Sequence, residues 1–230
     1  MLRWLTSADA ADRFPPAGDA LTDPNGLLAA GGDLEPERLL TAYRRGIFPW
    51  YEEGQPILWW SPDPRAVLRP AALKVSRSLR RSLRNGGFEL RIDTAFDAVI
   101  AECAAPRHYG GSTWITADMA RAYRRLHGLG WAHSFESWRD GALVGGLYGI
   151  AIGRVLFGES MFARVTDASK VALVGMVTEL ERRQFALIDC QLPSQHLSSL
   201  GARSIPRAEF LALLAAHCEP AGTPGTWRST

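Results

Sequence analysis

No apolar run in this 230-residue chain approaches the roughly 18 residues that would suggest a membrane span. The opening residues, Met1 to Asp9, are too short in apolar character and too soon acidic for a secretory signal. Cysteine is scarce: three thiols, at 103, 190 and 218, form no metal spacing and leave an odd one over, which fits a reducing cytoplasm. The five histidines add no ligand pattern with them, so neither a metal centre nor a Cys–His nucleophile is expected. Internal repeats are missing too. Acidic residues vanish between Asp63 and Glu89, and that local gap says more than the formal net charge of +2. Residues 1–60 hold nine acids and five bases, residues 61–91 two and eight, and residues 92–230 thirteen of each.

What is present describes an ordinary globular protein, 47% hydrophobic and 22% charged, large enough for one substantial domain and a small one. The N-terminal part is rich in Gly, Pro and Trp, with a short helix from Pro36 that Gly46 ends. Pro62 and Pro64 stiffen a junction, which divides the chain into a small domain over 1–63 and a larger one over 64–230. Trp59 and Trp60 are expected to pack at that domain interface.

Within the acid-free gap, residues 74–85 project as a two-faced helix. Arg77, Arg80, Arg81 and Arg84 fall at i, i+3, i+4 and i+7, opposite Val75, Leu79 and Leu83. A solvated helix normally mixes signs, so four guanidinium groups on one face point to a polyanion, with phosphate the natural ligand.

The remainder alternates. A strand over 88–92 and helices over 94–104 and 116–127 precede three strands, 132–138, 142–152 and 155–162, joined by turns at Asp140-Gly141 and Gly153-Arg154. A helix over 168–183, a strand over 186–191, a short helix near 194–200 and a last helix over 206–218 follow. Residues 219–230 lack apolar periodicity and read as a loose tail.

An antiparallel meander feeding a helix and then another strand is similar to the GNAT acyltransferase fold. The expected class is α+β, a small N-terminal domain before a GNAT-like C-terminal domain with a mixed, largely antiparallel sheet. GNAT acetyltransferases seat the coenzyme A pyrophosphate on a glycine-rich turn. Residues 163–170 contain no glycine, so acetyl-CoA is not the expected donor; a CoA-dependent N-acetyltransferase and a non-catalytic RNA-binding module are the rival readings.

Two strands carry polar groups between apolar ones. In Leu156 to Phe162, strict alternation puts Phe157, Glu159 and Met161 on one face. A carboxylate between large apolar groups needs a partner or a ligand. In Ala186 to Gln191, Asp189 and Gln191 share the face opposite Cys190, which favours acid/base or amide chemistry over a thiol nucleophile.

Nine segments in order, PNGLLAAGGDL (24–34), AYRRGIFPW (42–50), ILWWSPDPRAVL (57–68), TWIT (113–116), LVGGLYG (143–149), GESMF (158–162), ASK (168–170), IDCQ (188–191) and SLGA (199–202), resemble the bacterial leucyl/phenylalanyl-tRNA-protein transferases. The resemblance implies a cytoplasmic, monomeric enzyme that needs no cofactor. It takes Leu or Phe, with Met a further candidate, from aminoacyl-tRNA to proteins whose N-terminal residue is Arg or Lys, marking them for degradation. Trp50 and Trp114 match family tryptophans near the 3′ adenosine, with Phe157, Gly158 and Ser160 beside them. Leu147, Leu173, Met176, Leu180 and Ile188 match the side-chain pocket, although Ile188 faces away from Asp189 and Gln191, so the pocket must reach around the strand's end. Where many relatives have two aromatics before GES, this chain has Leu156-Phe157. In the chemistry these residues permit, Gln191 positions the attacking amine, Asp189 orients Gln191 or accepts the proton, and Glu159 holds the amine or the terminal ribose. Arg65 joins the four helical arginines on tRNA phosphates.

Overall fold

The computed structural model describes residues 2–105, 114–219 and 224–227. Strands β1 (Arg3–Leu5), β2 (Leu27–Gly31), β3 (Phe48–Pro49) and β4 (Leu58–Trp60), with helix α1 (Pro36–Arg44) between β2 and β3, build a four-stranded sheet ordered β1-β2-β4-β3. Trp59 is buried within this layer, edge-on to Phe14, while Trp60 meets Trp50 edge-on at 5.6 Å. The chain then changes sheet at β5 (Arg65–Leu68), just past Pro62 and Pro64.

The large part runs α2 (Arg77–Asn85), β6 (Glu89–Ile92), α3 (Phe96–Ala104), α4 (Ala117–Gly128), β7 (Ala132–Arg139), β8 (Ala142–Ile152), β9 (Val155–Ala163), α5 (Ala168–Arg182), β10 (Leu187–Gln191), α6 (Gln195–Ser199), β11 (Arg203–Ile205) and α7 (Arg207–His217). Its seven strands are ordered β11-β5-β10-β9-β8-β7-β6. Each neighbouring pair is antiparallel except β9 with β10, whose parallel pairing requires the crossover that α5 supplies. This is the mixed, largely antiparallel sheet expected.

Local chemistry explains the element ends. Asp140 and Gly141 both adopt positive φ, 52° and 75°, the two-residue turn that matches hairpin twist. Ser76 caps α2 through Leu79 N–H at 3.1 Å and Thr116 caps α4 through Met119 N–H at 3.2 Å. The first cap starts α2 at Arg77 rather than at residue 74. Helix α3 likewise starts two residues late, because the Glu136 carboxylate takes the N–H groups of Thr94 and Ala95 at 2.9 and 2.8 Å. A Cβ on Gly145 would lie 2.5 Å from that of Ala168, so glycine there lets α5 lie close on β8.

The sheet separates two apolar cores. On one face Tyr148, Ile150, Phe157 and Leu187 pack with α1, α3, α4, α7 and the N-terminal layer. On the other, Leu147, Leu156 and Ile188 pack with α5.

The tail is a correction. Trp227 is only 8% exposed, stacks on His133 with ring centroids 4.0 Å apart, and lies under the Arg183 guanidinium at 4.2 Å. A lone aromatic in a polar segment carries no periodicity, yet its burial is enough to dock residues 224–227. Positions 220–223 and 228–230 of that tail lie outside the described residues, as do Gly110 to Thr113 before Trp114.

Candidate active site

Glu159 is the centre of the polar cluster, and a β-bulge puts it there. Tyr148 pairs with Ser160 and Gly149 with Gly158, which leaves Glu159 as an extra residue on β9. The bulge resets the alternation: Phe157 packs toward α1 and α4, Met161 toward α5, and Phe162 back toward the first side. The expected common face of Phe157, Glu159 and Met161 is therefore corrected, with Glu159 and Ser160 both turned to the α1/α4 side.

There the half-buried Glu159 meets two phenols. Tyr43 on α1 donates to Oε1 at 2.7 Å, Tyr123 on α4 donates to Oε2 at 2.9 Å, and the two hydroxyls are 2.8 Å apart. Gln191 completes the ring, its Nε2 donating to Oε1 at 3.1 Å. Burial pushes the Glu159 carboxyl up to about 8, against the opposing pull of both tyrosine hydrogen bonds and with Asp189 adding to the rise. Burial, then the neighbouring Glu159, also raises both phenols well above their ordinary range, so they remain neutral donors. A third buried phenol, Tyr148, packs edge-on to Tyr123 at 5.4 Å and makes no hydrogen bond among the described residues.

Because Glu159 in the folded chain titrates near 8 rather than 4.5, folding is expected to lose stability as pH rises between those values. Below the lower value the carboxyl is neutral folded or unfolded; between them only the unfolded chain ionises; above the upper both do. Urea denaturation from pH 5 to pH 9 should show the stability of the wild type falling relative to Glu159→Gln and then levelling. Parallel curves would disprove the buried, neutral state.

Asp189 has a different partner from the one expected. It is fully buried, and Arg65, itself 1% exposed, grips it through Nε at 2.8 Å and Nη2 at 2.6 Å. Arg65 also donates to the Gly46 carbonyl at 3.2 Å and lies between the Phe48 and Phe210 rings, 4.7 Å from each. Arg65 therefore cannot reach a tRNA phosphate. Nor is Asp189 placed as a base, since a bidentate guanidinium holds both oxygens. Its Oδ1 accepts the Gln191 backbone N–H at 2.9 Å and supports a left-handed turn there, φ 62°. Cys190 turns toward the α5 core, and burial pushes its thiol up to about 12, far from a reactive thiolate.

Strands β9 and β10 pair over only part of their length. Their pairing runs from Leu187↔Val155 to Asp189↔Phe157, after which Gln191 pairs with Ala66 on β5 and β9 continues to Ala163. The strands part beside Gly158, Glu159 and Gln191. Leu147, Ile188, Leu173, Met176 and Leu180 line the opposite core as one group.

Of the adenosine candidates, Trp50 is 42% exposed and Trp114 half-buried. Their segments are joined where the hydroxyls of Tyr51 and Thr116 meet at 3.2 Å. Gly158 and Ser160 flank Glu159 directly. Phe157 is a correction: it is fully buried against Tyr43, centroids 5.1 Å apart, and shapes the cluster from behind. Arg77, Arg80, Arg81 and Arg84 are all exposed, and Ser82 ties α2 to the start of α5 through Asp167 at 2.8 Å. Asp167, also bonded by Lys170 at 2.8 Å, sets a carboxylate at the helix N-terminus, where a coenzyme pyrophosphate would be repelled.

Sequence reasoning missed Tyr43 and Tyr123. Tyr43 sits in an apolar stripe with Leu39 and Leu40, and only the need of a buried phenol for a partner sets it apart.

The family models for the leucyl/phenylalanyl-tRNA protein transferase and for its N-terminal domain match residues 67–215 and 32–63. A leucyl/phenylalanyl-tRNA–protein transferase of Aromatoleum aromaticum is 63% identical over 227 residues, 99% of this chain and 94% of its own. One of Azoarcus sp. is 60% identical over 230 residues, 100% of this chain and 97% of its own. Among solved structures, a GCN5-related N-acetyltransferase from Kribbella flavida aligns over 74% of this chain and 60% of its own at 10% identity and TM-score 0.39, too low to add to the strand order.

Proposed function

The chain belongs to the leucyl/phenylalanyl-tRNA protein transferase family, and from that premise we propose that it moves Leu or Phe from aminoacyl-tRNA onto the α-amine of proteins beginning with Arg or Lys. Such a product would enter N-terminal degradation in the cytoplasm, with the enzyme acting as a monomer. No described helix is long and apolar enough to cross a membrane.

The observation that carries this reading is the Glu159–Tyr43–Tyr123–Gln191 ring at the parting of β9 and β10. An aminoacyl ester is already activated, so catalysis consists mainly of placement, worth on the order of 7 kcal/mol or more. The acceptor nitrogen attacks the ester carbonyl, the amide C–N bond forms, the C–O bond to the ribose 3′ oxygen breaks, and that oxygen takes up a proton. Gln191 presents the incoming amine. Glu159, titrating near 8, is matched to an α-amine of roughly 7.7 to 8.0 and relays its proton to the leaving oxygen. With Asp189 held by Arg65, Glu159 is the carboxyl group left to face the incoming N-terminus. Trp50 and Trp114 offer planes for the terminal adenine. The aminoacyl side chain passes through the sheet toward Leu147, Met176 and Ile188.

A single-turnover assay with labelled Phe-tRNA and an Arg-initiated peptide is expected to transfer the label, whereas an otherwise identical Asp-initiated peptide should stay unlabelled. No transfer, or transfer indifferent to the first residue, would overturn the reading. The exposed face of α2 should contact tRNA phosphates. Changing Arg80 and Arg84 together to Ala is expected to lower the slope of log affinity against log salt by roughly 1.5, two phosphates' worth. An unchanged slope would remove α2 from the RNA site.

A further inference from the structure

Three oxygen-to-oxygen contacts close a triangle at the active site: Tyr43 to Glu159 Oε1 at 2.7 Å, Tyr123 to Oε2 at 2.9 Å, and the two hydroxyls to each other at 2.8 Å. Each contact needs one hydrogen between its oxygens. The phenols are buried and stay neutral, so each carries a single hydrogen, free to rotate about its C–O bond. With both turned to the carboxyl, the contact between them holds none, and only lone pairs face each other across 2.8 Å. The missing hydrogen has one source within the triangle, the carboxyl of Glu159.

Gln191 decides which carboxyl oxygen carries it. Its Nε2 donates to Oε1 at 3.1 Å, where Tyr43 also donates, so Oε1 is the carbonyl oxygen and Oε2 the hydroxyl. Oε2 then donates to Tyr123, Tyr123 turns its hydrogen to Tyr43, and Tyr43 donates to Oε1. Three hydrogens fill three contacts in one direction, an arrangement in which each bond strengthens the next. When Glu159 loses its proton, the Tyr123 hydrogen swings to Oε2, and each carboxylate oxygen keeps a phenol without any oxygen having to move. The other charges facing Glu159 are Asp189 and Arg65, which pair with each other, and the neutral phenol of Tyr148 lies beyond Tyr123.

We propose that Tyr43 and Tyr123 are positioning residues that store the transferable proton on Glu159 and steady its carboxyl both with and without that proton. This deepens the aminoacyl transfer proposed above and rests on it. As the C–O bond to the ribose breaks, Glu159 gives its proton to the 3′ oxygen and Tyr123 rotates to the carboxylate. The nitrogen of the new amide releases one proton, which returns to Glu159 and restores the neutral triangle.

Infrared difference spectra of the full chain, wild type minus Glu159→Gln, report the carboxyl without any transfer taking place. At pH 7 the wild type should show the carbonyl stretch of a protonated carboxyl, fading as pH rises through about 8. Tyr43→Phe removes a donor that favours the charged form over the neutral one, so its band should persist to higher pH. Tyr123→Phe should change the stretch frequency below pH 7, because the Oε2 hydroxyl loses its acceptor. In single-turnover transfer from saturating Phe-tRNA to an Arg-initiated peptide, each variant should be about tenfold slower with the KM for Phe-tRNA unchanged, and the double variant little slower than either, since the triangle acts as a unit. A carboxylate at pH 7 overturns the proton assignment. A band that both variants leave unaltered, or rate losses that multiply, overturns the role of the phenols. A wild type that shows the band and its shifts but transfers nothing overturns the transfer reading and the catalytic part of this one, while the triangle and its proton stand.

Discussion

Asp189→Ala is expected to lower folding stability by about 3 to 5 kcal/mol, out of a total that for most domains is roughly 5 to 15 kcal/mol. The loss comes from what stays behind. Arg65 is 1% exposed and wedged between Phe48 and Phe210, so removing its bidentate partner strands a cation in an apolar site. Urea denaturation would show a lower midpoint, and a loss below about 1 kcal/mol, the usual value for an exposed pair, would contradict this picture. Replacing both partners, as Arg65→Met with Asp189→Leu, should recover much of the stability, because apolar groups of similar volume often substitute for buried pairs without loss. Activity should not return with it, since Gln191 would still lack the oxygen that accepts its backbone N–H.

Glu159→Gln is expected to reduce kcat by about 10² to 10⁴-fold while changing the KM for aminoacyl-tRNA little. The substitution keeps the side chain's length and an oxygen for Tyr43 or Tyr123 to bond, but removes the group that relays the proton. Single-turnover rates at saturating Phe-tRNA separate this from weaker binding. A loss smaller than tenfold would mean that the ester reacts through placement alone.

Much of the architecture was legible because it rests on local chemistry. The Asp140-Gly141 turn, the Thr116 cap and the two-faced α2 helix each follow from neighbouring residues and appear where expected, the starts of α2 and α3 moving by a few residues to Arg77 and Phe96, where the Ser76 cap and the Glu136 carboxylate set them. The errors at the site share a different cause, which is long range. Arg65 reads as one more base in a basic segment, and its partner Asp189 is 124 positions away. Tyr43 and Tyr123 reach Glu159 from 116 and 36 positions away. The bulge at Glu159 adds one residue to β9, and one residue is enough to reverse every face after it. Alternation placed Ile188 and Gln191 correctly on opposite faces. Trp227 gives no periodic signal because it docks alone.

The most direct test is a co-crystal with a non-hydrolysable phenylalanyl-adenosine analogue. Adenine should lie against Trp50 or Trp114, the acyl carbonyl beside Gln191 and Glu159, and the phenyl ring through the gap between β9 and β10 toward Leu147, Met176 and Ile188. A ligand lodged elsewhere, or an aminoacyl group that stays on the Tyr43 side of the sheet, would contradict the account.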